Sequence, residues 1–474
     1  MATVAGFPYF ELELTKLGAV FKPEQRQAIV TAATGAGTTD LVVVSHGWNN
    51  DMADARELYA KLLGHLASFL GNAGMKGIAI VGVLWPSKRF ADADLIPGGG
   101  AAGLGNDSGT GDTGGTGGAA GLGDDGFTGA GGASGAGGAA VSDEGLRHKL
   151  ESLKGAFDGS EFVAFEEAKR LVNQLEDSPE AQRAFVDLVR SVLPRPSDLL
   201  DDASDELFRK PGDEILQALA LPTAPAPAPQ GEGGALGLGL DDAGGAPGTG
   251  GVGQAAFLDG LFSGIKAAAS RLLNFATYYQ MKERAGVVGT GLNAVLAEVR
   301  QRAPNLRIHL VGHSFGARVV TSAAKGPAAF RPSSLVLLQG AFSHNGFAEK
   351  FDGTNDGFFR EVLAKHAVQG PIVVTHTKND EAVGVAYPIA SRLSGDNRLA
   401  LGDENDPFGG LGRNGAIRLK GTEVVAGTLG GRQQRYSFVG GKVNNLRADA
   451  HIREHNDVAN EAVANVLAQV LRPS

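Results

Sequence analysis

Between Ile308 and Ala317 the chain reads Ile-His-Leu-Val-Gly-His-Ser-Phe-Gly-Ala, which sets Ser314 between two glycines in Gly312-His313-Ser314-Phe315-Gly316. The apolar run Ile308–Val311 reads as a buried strand and Ala317–Lys325 as a helix. A G-x-S-x-G turn between a strand and a helix lifts a hydroxyl to the top of a sheet. Such a turn is strained and its backbone passes close to its neighbours, which residues without a Cβ tolerate best. On this reading Ser314 is a nucleophile and the chain a serine hydrolase. The bare pattern discriminates poorly, because 71 of the 474 residues are glycine. The match is the only one in the chain and lies outside the glycine tracts, so its strand-turn-helix setting carries the argument.

A hydroxyl is a poor nucleophile at neutral pH and needs a base, which in turn needs an orienting acid. In this architecture the acid and then the base follow the serine along the chain. Ile372–His376 reads as a strand, and Thr377-Lys378-Asn379-Asp380 leads out of it, making Asp380 the favoured acid. Glu381 is an adjacent substitute and Asp352 and Asp356 are the runners-up; an Asp at such a place also commonly caps a turn. His451 and His455 both precede the final helix, expected over Asp457–Leu471 with Asp457 as its N-cap. That leaves His455 in the loop just before the helix and His451 in or near a strand, so His455 is the favoured base. His366 reads as a helix-surface residue. His65, His148, His309, His344 and His376 show no paired spacing of the kind a metal site has, and no metal or other cofactor is expected.

The tetrahedral intermediate of acyl transfer also needs two converging backbone N–H groups. One belongs to Phe315, directly after the nucleophile. For the other, Val42-Val43-Val44-Ser45 runs into His46-Gly47-Trp48. Gly47 lets the backbone turn inward and the Trp48 N–H becomes the donor, unless Trp48 simply packs into the core.

The elements that must position these residues fall in two blocks. In the first, Phe10–Leu14, Leu41–Val44 and Ile78–Leu84 read as strands, and Pro23–Ala33 and Asp51–Leu70 as helices. Strand, helix, strand in that order predicts a parallel sheet with crossover helices. In the second, Phe257–Ala303 reads as largely helical, Leu335–Gln339 and Ile372–His376 as strands and Phe358–His366 as a helix; Ala416–Val443 holds strand-like pieces without a legible register. Between the blocks, Pro97–Ala140 is almost all Gly, Ala, Asp, Ser and Thr, which predicts a disordered tether. Helical spacing returns over Ala164–Leu175, Pro179–Leu193 and Gly212–Leu221, and a Pro/Gly-rich tract follows to Gly253. The expected organisation is a doubly wound, mostly parallel α/β sheet with flanking helices, built from 1–90 and 257–474. A small helical insertion over 142–221 sits between disordered linkers at 91–141 and 222–256.

Composition narrows the classes further. The net charge is −9 and no Lys/Arg cluster is interleaved with aromatics, which argues against a nucleic-acid partner. There is no cysteine, so disulfides, thiol nucleophiles and cysteine-based metal sites are excluded, in keeping with a reducing compartment. No stretch reaches the length of a membrane span and the first residues lack a leader pattern, so a cytoplasmic protein is expected. Gly410-Leu411-Gly412-Arg413-Asn414-Gly415 matches G-x-G-x-x-G but has no strand before it, and no Gly-Lys-Ser/Thr occurs, so nucleotide binding is not expected.

Taken together, His46-Gly47-Trp48, Gly312–Gly316, Asp380 and His455 resemble the α/β-hydrolase superfamily, in particular its esterase- and lipase-like members. The resemblance covers the first ninety residues or so and Phe257 to the end. It implies Ser314 as nucleophile, Asp380 as acid, His455 as base, Trp48 and Phe315 as oxyanion donors, and a small-molecule ester as substrate. The chain departs from the family in that its insertion precedes the nucleophile strand, whereas caps there commonly follow a later one. The insertion is accordingly expected either as a lid or as a docking module for a protein partner.

Overall fold

β-branched and leucine-rich runs form a nine-stranded sheet in the computed structural model. The structure describes residues 2–48, 50–87, 141–154, 157, 161–194, 205–220, 224–225, 264–380, 382–383, 400–401 and 408–472. The glycine-rich tract, nearly all of the Pro/Gly-rich tract, residues 257–263 and Glu381 lie outside these residues, and so do the expectations placed on them. The strands are β1 (Thr3–Val4), β2 (Phe7–Glu13), β3 (Asp40–Ser45), β4 (Ile78–Leu84), β5 (Arg307–His313), β6 (Ser334–Leu338), β7 (Ile372–His376), β8 (Val424–Thr428) and β9 (Val443–Arg447). Their order across the sheet is β1-β2-β4-β3-β5-β6-β7-β9-β8, parallel throughout except for the β1–β2 pair.

The chain passes from β3 to β4 on one side, then returns to pair β5 with the other edge of β3. This reversal leaves the C-terminal ends of β3 and β5 side by side, where open α/β sheets form a crevice. Both faces of the central strands are covered. Leu41 and Val43 enter one apolar cluster and Val42 and Val44 the other, and Leu335 and Leu337 are divided in the same way from Val336 and Leu338. Alternation within an all-apolar strand is what burial on both faces requires.

On one face lie α1 (Pro23–Ala33), α8 (Ile265–Arg302) and α9 (Phe315–Lys325). On the other, α2 (Met52–Met75) packs against α12 (Glu461–Leu471). The insertion comprises α3 (Asp143–Leu153), α4 (Phe162–Leu171), α5 (Pro179–Ser191), α6 (Glu206–Arg209) and α7 (Gly212–Ala220). Of these, α3 and α6 were not legible from periodicity. The insertion is packed onto the first half of α8. Leu150, Phe185 and Leu216 share a cluster with Leu272 and Tyr279, the Phe208 and Tyr279 rings meet edge-on at 5.6 Å, and Arg271 donates to the Leu219 carbonyl at 2.6 Å. The 38 residues of α8 span roughly 57 Å at the α-helical rise, long enough to serve the insertion with one half and the sheet with the other. Two short helices, α10 (Arg360–Ala364) and α11 (Leu411–Asn414), lie in the second block of the chain.

Several boundaries differ from expectation. Strand β2 begins at Phe7, and α2 runs to Met75 through a non-helical Gly71. The final helix starts at Glu461, capped by Asn460, whose side chain accepts from the Val463 N–H at 3.1 Å. Asp457, the expected cap, instead accepts from the Arg453 N–H at 3.1 Å and closes a turn within the preceding loop. His451 is in that loop as well, four residues beyond β9, rather than in a strand.

At the N-terminal end of the sheet a buried carboxylate ties together four distant segments. Asp40, fully buried, accepts from Arg307, from the Arg472 guanidinium at 3.0 Å, from Thr39 at 2.7 Å and from His309 Nε2 at 3.1 Å. The Ser334 hydroxyl closes the chain on His309 Nδ1 at 2.8 Å. Burial alone would raise the Asp40 pKa, but these donors and the Arg472 charge hold it well below the usual carboxylate range. A depressed folded-state value means that the stabilisation is complete above the unfolded pKa of about 4 and is lost as pH falls below it. Asp40→Ala is expected to lose about 3–5 kcal/mol in urea unfolding at pH 7. The gap from wild type should narrow as the pH is lowered from about 4 downward; a gap that stays constant across that range would exclude this role.

Candidate active site

Ser314 occupies the single-residue turn between β5 and α9, with φ 55° and ψ −123°. For a residue with a side chain this backbone costs on the order of 1–3 kcal/mol and must be held by its surroundings. The Ser314 N–H donates to the Leu338 carbonyl, and the Ala317 and Ala341 N–H groups donate to the Ser314 carbonyl, each at 3.0 Å. The turn is also packed without clearance. A Cβ on Gly316 would strike the Ser45 carbonyl, and one on Gly47 would lie 2.7 Å from Ser314 Cβ. Gly312 is equally confined, against the Gly316 backbone.

His455 bridges two residues that strand topology brings to it. Its Nε2 accepts from Ser314 Oγ at 2.8 Å, and its Nδ1 donates to Asp380 Oδ2 at 2.9 Å. Asp380 is fully buried and also accepts from the Val383 N–H at 3.0 Å and from Gln339 Nε2 at 3.2 Å. Burial pushes its pKa up, yet the interaction with His455 and these hydrogen bonds outweigh burial and hold it below the usual value. The carboxylate is therefore ionised, which keeps the His455 proton on Nδ1 and leaves Nε2 free to accept.

The loops carrying Asp380 and His455 are joined to each other. Asp449 accepts from Thr377 Oγ1 and from the Lys378 N–H, both at 3.1 Å, and Asn379 Nδ2 donates to the Asp449 and Ile452 carbonyls at 3.0 Å. His313 Nε2 donates to the His455 carbonyl at 3.0 Å, fixing the His455 loop over the serine turn. Burial, reinforced by the nearby His455, pushes the His313 pKa down to about 3, so this ring is neutral and adds no charge. A small cavity of about 110 Å³ lies beside it, lined by Asn50, Asp54, Leu58, Lys61, His313 and Asn456. A larger cleft of about 1390 Å³, bordered by Phe10, Gln27, Thr31 and Met75, lies at the opposite end of the strands and does not involve the bridged residues.

The expected oxyanion donors flank the serine. The Trp48 and Phe315 rings meet edge-on at 5.7 Å, and neither backbone N–H is paired with another described residue. Phe315 opens an eleven-residue helix whose N-terminal dipole favours negative charge at that point. Gln339 and Asp449 were missed in the sequence. A polar residue ending the apolar run Leu335–Leu338, and an Asp just past the last strand, were the available signals.

Asp352, Asp356 and His451 make their contacts elsewhere. Asp352 accepts from Thr354 and Asn355 in an exposed turn, Asp356 accepts from the Lys350 N–H, and the His451 carbonyl accepts from Asn460. The Gly410–Gly415 run packs against the acid: the Gly412 carbonyl accepts from Gln339 Nε2 at 2.8 Å and the Thr377 N–H at 2.9 Å. Among the described residues no cluster of His, Asp or Glu is arranged to hold a metal ion, and no helix is long and apolar enough to cross a membrane. No family model, no curated protein and no solved structure matches the chain.

Packing at the turn makes a test of the glycine positions direct. Gly316→Ala is expected to cost about 1–3 kcal/mol through forced backbone displacement. Gly64→Ala, in α2 with nothing within 4 Å of the added methyl, is expected to stabilise by about 0.4–1 kcal/mol. Thermal unfolding of the two variants would show the opposite signs, and a neutral Gly316→Ala would contradict the tight turn.

Proposed function

We propose that the protein is a serine hydrolase of the α/β-hydrolase type that cleaves a carboxylic ester through an acyl-enzyme. The observation that carries this reading is the single imidazole of His455 joined on one side to Ser314 Oγ and on the other to the buried Asp380. The mostly parallel sheet, with the serine at the reversal of strand order, supports it.

In this mechanism Ser314 Oγ attacks the substrate carbonyl carbon while its proton passes to His455 Nε2. The imidazolium is stabilised by the ionised Asp380, which keeps its own proton-free state throughout. The carbonyl oxygen becomes an oxyanion held by the Phe315 and Trp48 N–H groups, assisted by the positive end of α9. Collapse of the tetrahedral intermediate breaks the bond to the leaving alcohol, which takes its proton from His455. Water then attacks the acyl-Ser314, giving a proton to His455, and the second collapse returns that proton to Ser314 Oγ and releases the acid. Thioesters and amides follow the same sequence of steps.

A second reading rests on burial. Ser314 is only 5 % exposed, which favours a hydrolase-fold protein that holds its site closed and binds partners without efficient turnover. Fluorophosphonate labelling separates the two. Under the proposed function wild type is labelled and Ser314→Ala is not, with p-nitrophenyl acetate and longer esters hydrolysed in parallel. Asp380→Asn should lower kcat by about 10⁴-fold while leaving the fold intact. Absence of labelling in folded wild type would overturn the enzyme reading in favour of the binding one.

A further inference from the structure

Gly47 presents a problem that the fold has to solve. Its lack of a Cβ permits close approach to Ser314, where a methyl would lie 2.7 Å from Ser314 Cβ and 3.2 Å from Oγ. The same freedom permits the Gly47–Trp48 peptide to rotate. Rotated, it would present its carbonyl oxygen to a developing oxyanion instead of its N–H. The neighbouring histidine is built to prevent this. We propose that His46, by donating from Nδ1 to the Gly47 carbonyl, is a positioning residue that keeps the Trp48 N–H turned toward the oxyanion site.

The geometry is specific. The His46 ring nitrogens have different tasks, because Nε2 accepts from the Trp85 N–H at 3.3 Å and the ring proton therefore sits on Nδ1, 2.9 Å from the Gly47 oxygen. Within a planar trans peptide the C=O and N–H point in opposite directions, so pinning the Gly47 oxygen beside the His46 ring sends the Trp48 N–H the other way. That N–H is unpaired among the described residues. The latch is itself rigid. The His46 N–H donates to Tyr59 Oη at 2.8 Å, Tyr59 Oη donates to the Val83 carbonyl at 2.6 Å, and the His46 carbonyl accepts from Trp85 Nε1 at 3.1 Å. The imidazole stacks on the Trp85 ring, with centroids 5.6 Å apart and planes 16° apart. Burial pushes its pKa down to about 4, so near neutral pH the ring is uncharged and Nε2 is an acceptor.

This role rests on the proposed hydrolase function, and the experiment separates the two. An asparagine side chain can place an amide donor where Nδ1 lies, whereas glutamine reaches the position of Nε2. His46→Gln is expected to lower kcat by about 100-fold, the scale of losing one oxyanion donor, with KM changed less than about threefold, as befits an interaction made only in the transition state. His46→Asn should recover at least about tenfold of that loss, which a merely structural substitution would not do. Crystal structures of wild type and both variants read the peptide directly, with rotation of Gly47–Trp48 expected for Gln alone. A folded Gln variant with wild-type kcat, or an Asn variant no better than Gln, overturns the proposal. Should the Gln variant not fold, the Asn variant decides: kcat within about tenfold of wild type supports the latch and a folded, 100-fold slower enzyme refutes it. If wild type shows no Ser314-dependent turnover, the hydrolase reading fails, and peptide orientation alone then judges the latch.

Discussion

Parallel register is the constraint on which everything at the candidate site depends. Ser45 pairs with Gly312, His313 with Leu338, Leu338 with Thr375 and Thr375 with Leu446, so β3, β5, β6, β7 and β9 end nearly on one line. The next residues along each strand are His46, Ser314, Gln339, the Thr377–Asp380 segment and the loop that bears His455. Segments separated by more than a hundred residues are thereby delivered to one edge without any of them having to be long. A slip of one residue in any of these strands would turn its side chains to the other face. The apolar clusters on both faces oppose such a slip, and the Asp40 network pins the far ends of β3 and β5 through Arg307 and His309.

Among the described residues two hydrogen-bonded chains join serine, histidine and aspartate, and they differ in their setting. Ser334, His309 and Asp40 lie at the N-terminal end of the sheet, all nearly inaccessible, with Arg307 and Arg472 neutralising the carboxylate. Ser314, His455 and Asp380 lie at the C-terminal end, on loops, with Gln339 and the Val383 N–H donating to the carboxylate and a helix N-terminus beside the serine. The residue types are the same. What differs is the backbone: Ser314 is held at a strained φ that projects its hydroxyl, whereas Ser334 is an ordinary strand residue.

The insertion belongs to the same physical system. Its helices cover the first half of α8, whose second half lies against α9, the helix that begins directly after Ser314. Arg284 of α8 donates to the Pro86 carbonyl at 3.0 Å, two residues past the strand that follows β3 in sequence. Insertion, α8 and serine turn are therefore joined by continuous packing, and the apolar face of α8 would be left open to water without the helices that cover it.

Much of this was readable without coordinates wherever the information is local. A strand, a tight turn and a helix leave their pattern in a dozen residues, which is why Ser314, Gly316 and the His46-Gly47-Trp48 turn stood out, and why chain order alone pointed to Asp380. Local reading weakened where partners are remote. It favoured His455 over His451, four residues away, from an expected helix start at Asp457; His455 does meet Ser314, but the helix starts at Glu461 and the loop path is set by contacts of Asp457 and Asn460. The same holds for Gln339 on Asp380, His313 on the His455 carbonyl and the Asp40 network, each joining residues from separate elements. The sequence by itself determined the local turns and the strand and helix types, because these follow from short-range sterics and apolar periodicity. The tertiary structure alone decided which polar atoms meet, because a hydrogen bond between distant segments depends on register and loop path, which no short window of sequence contains.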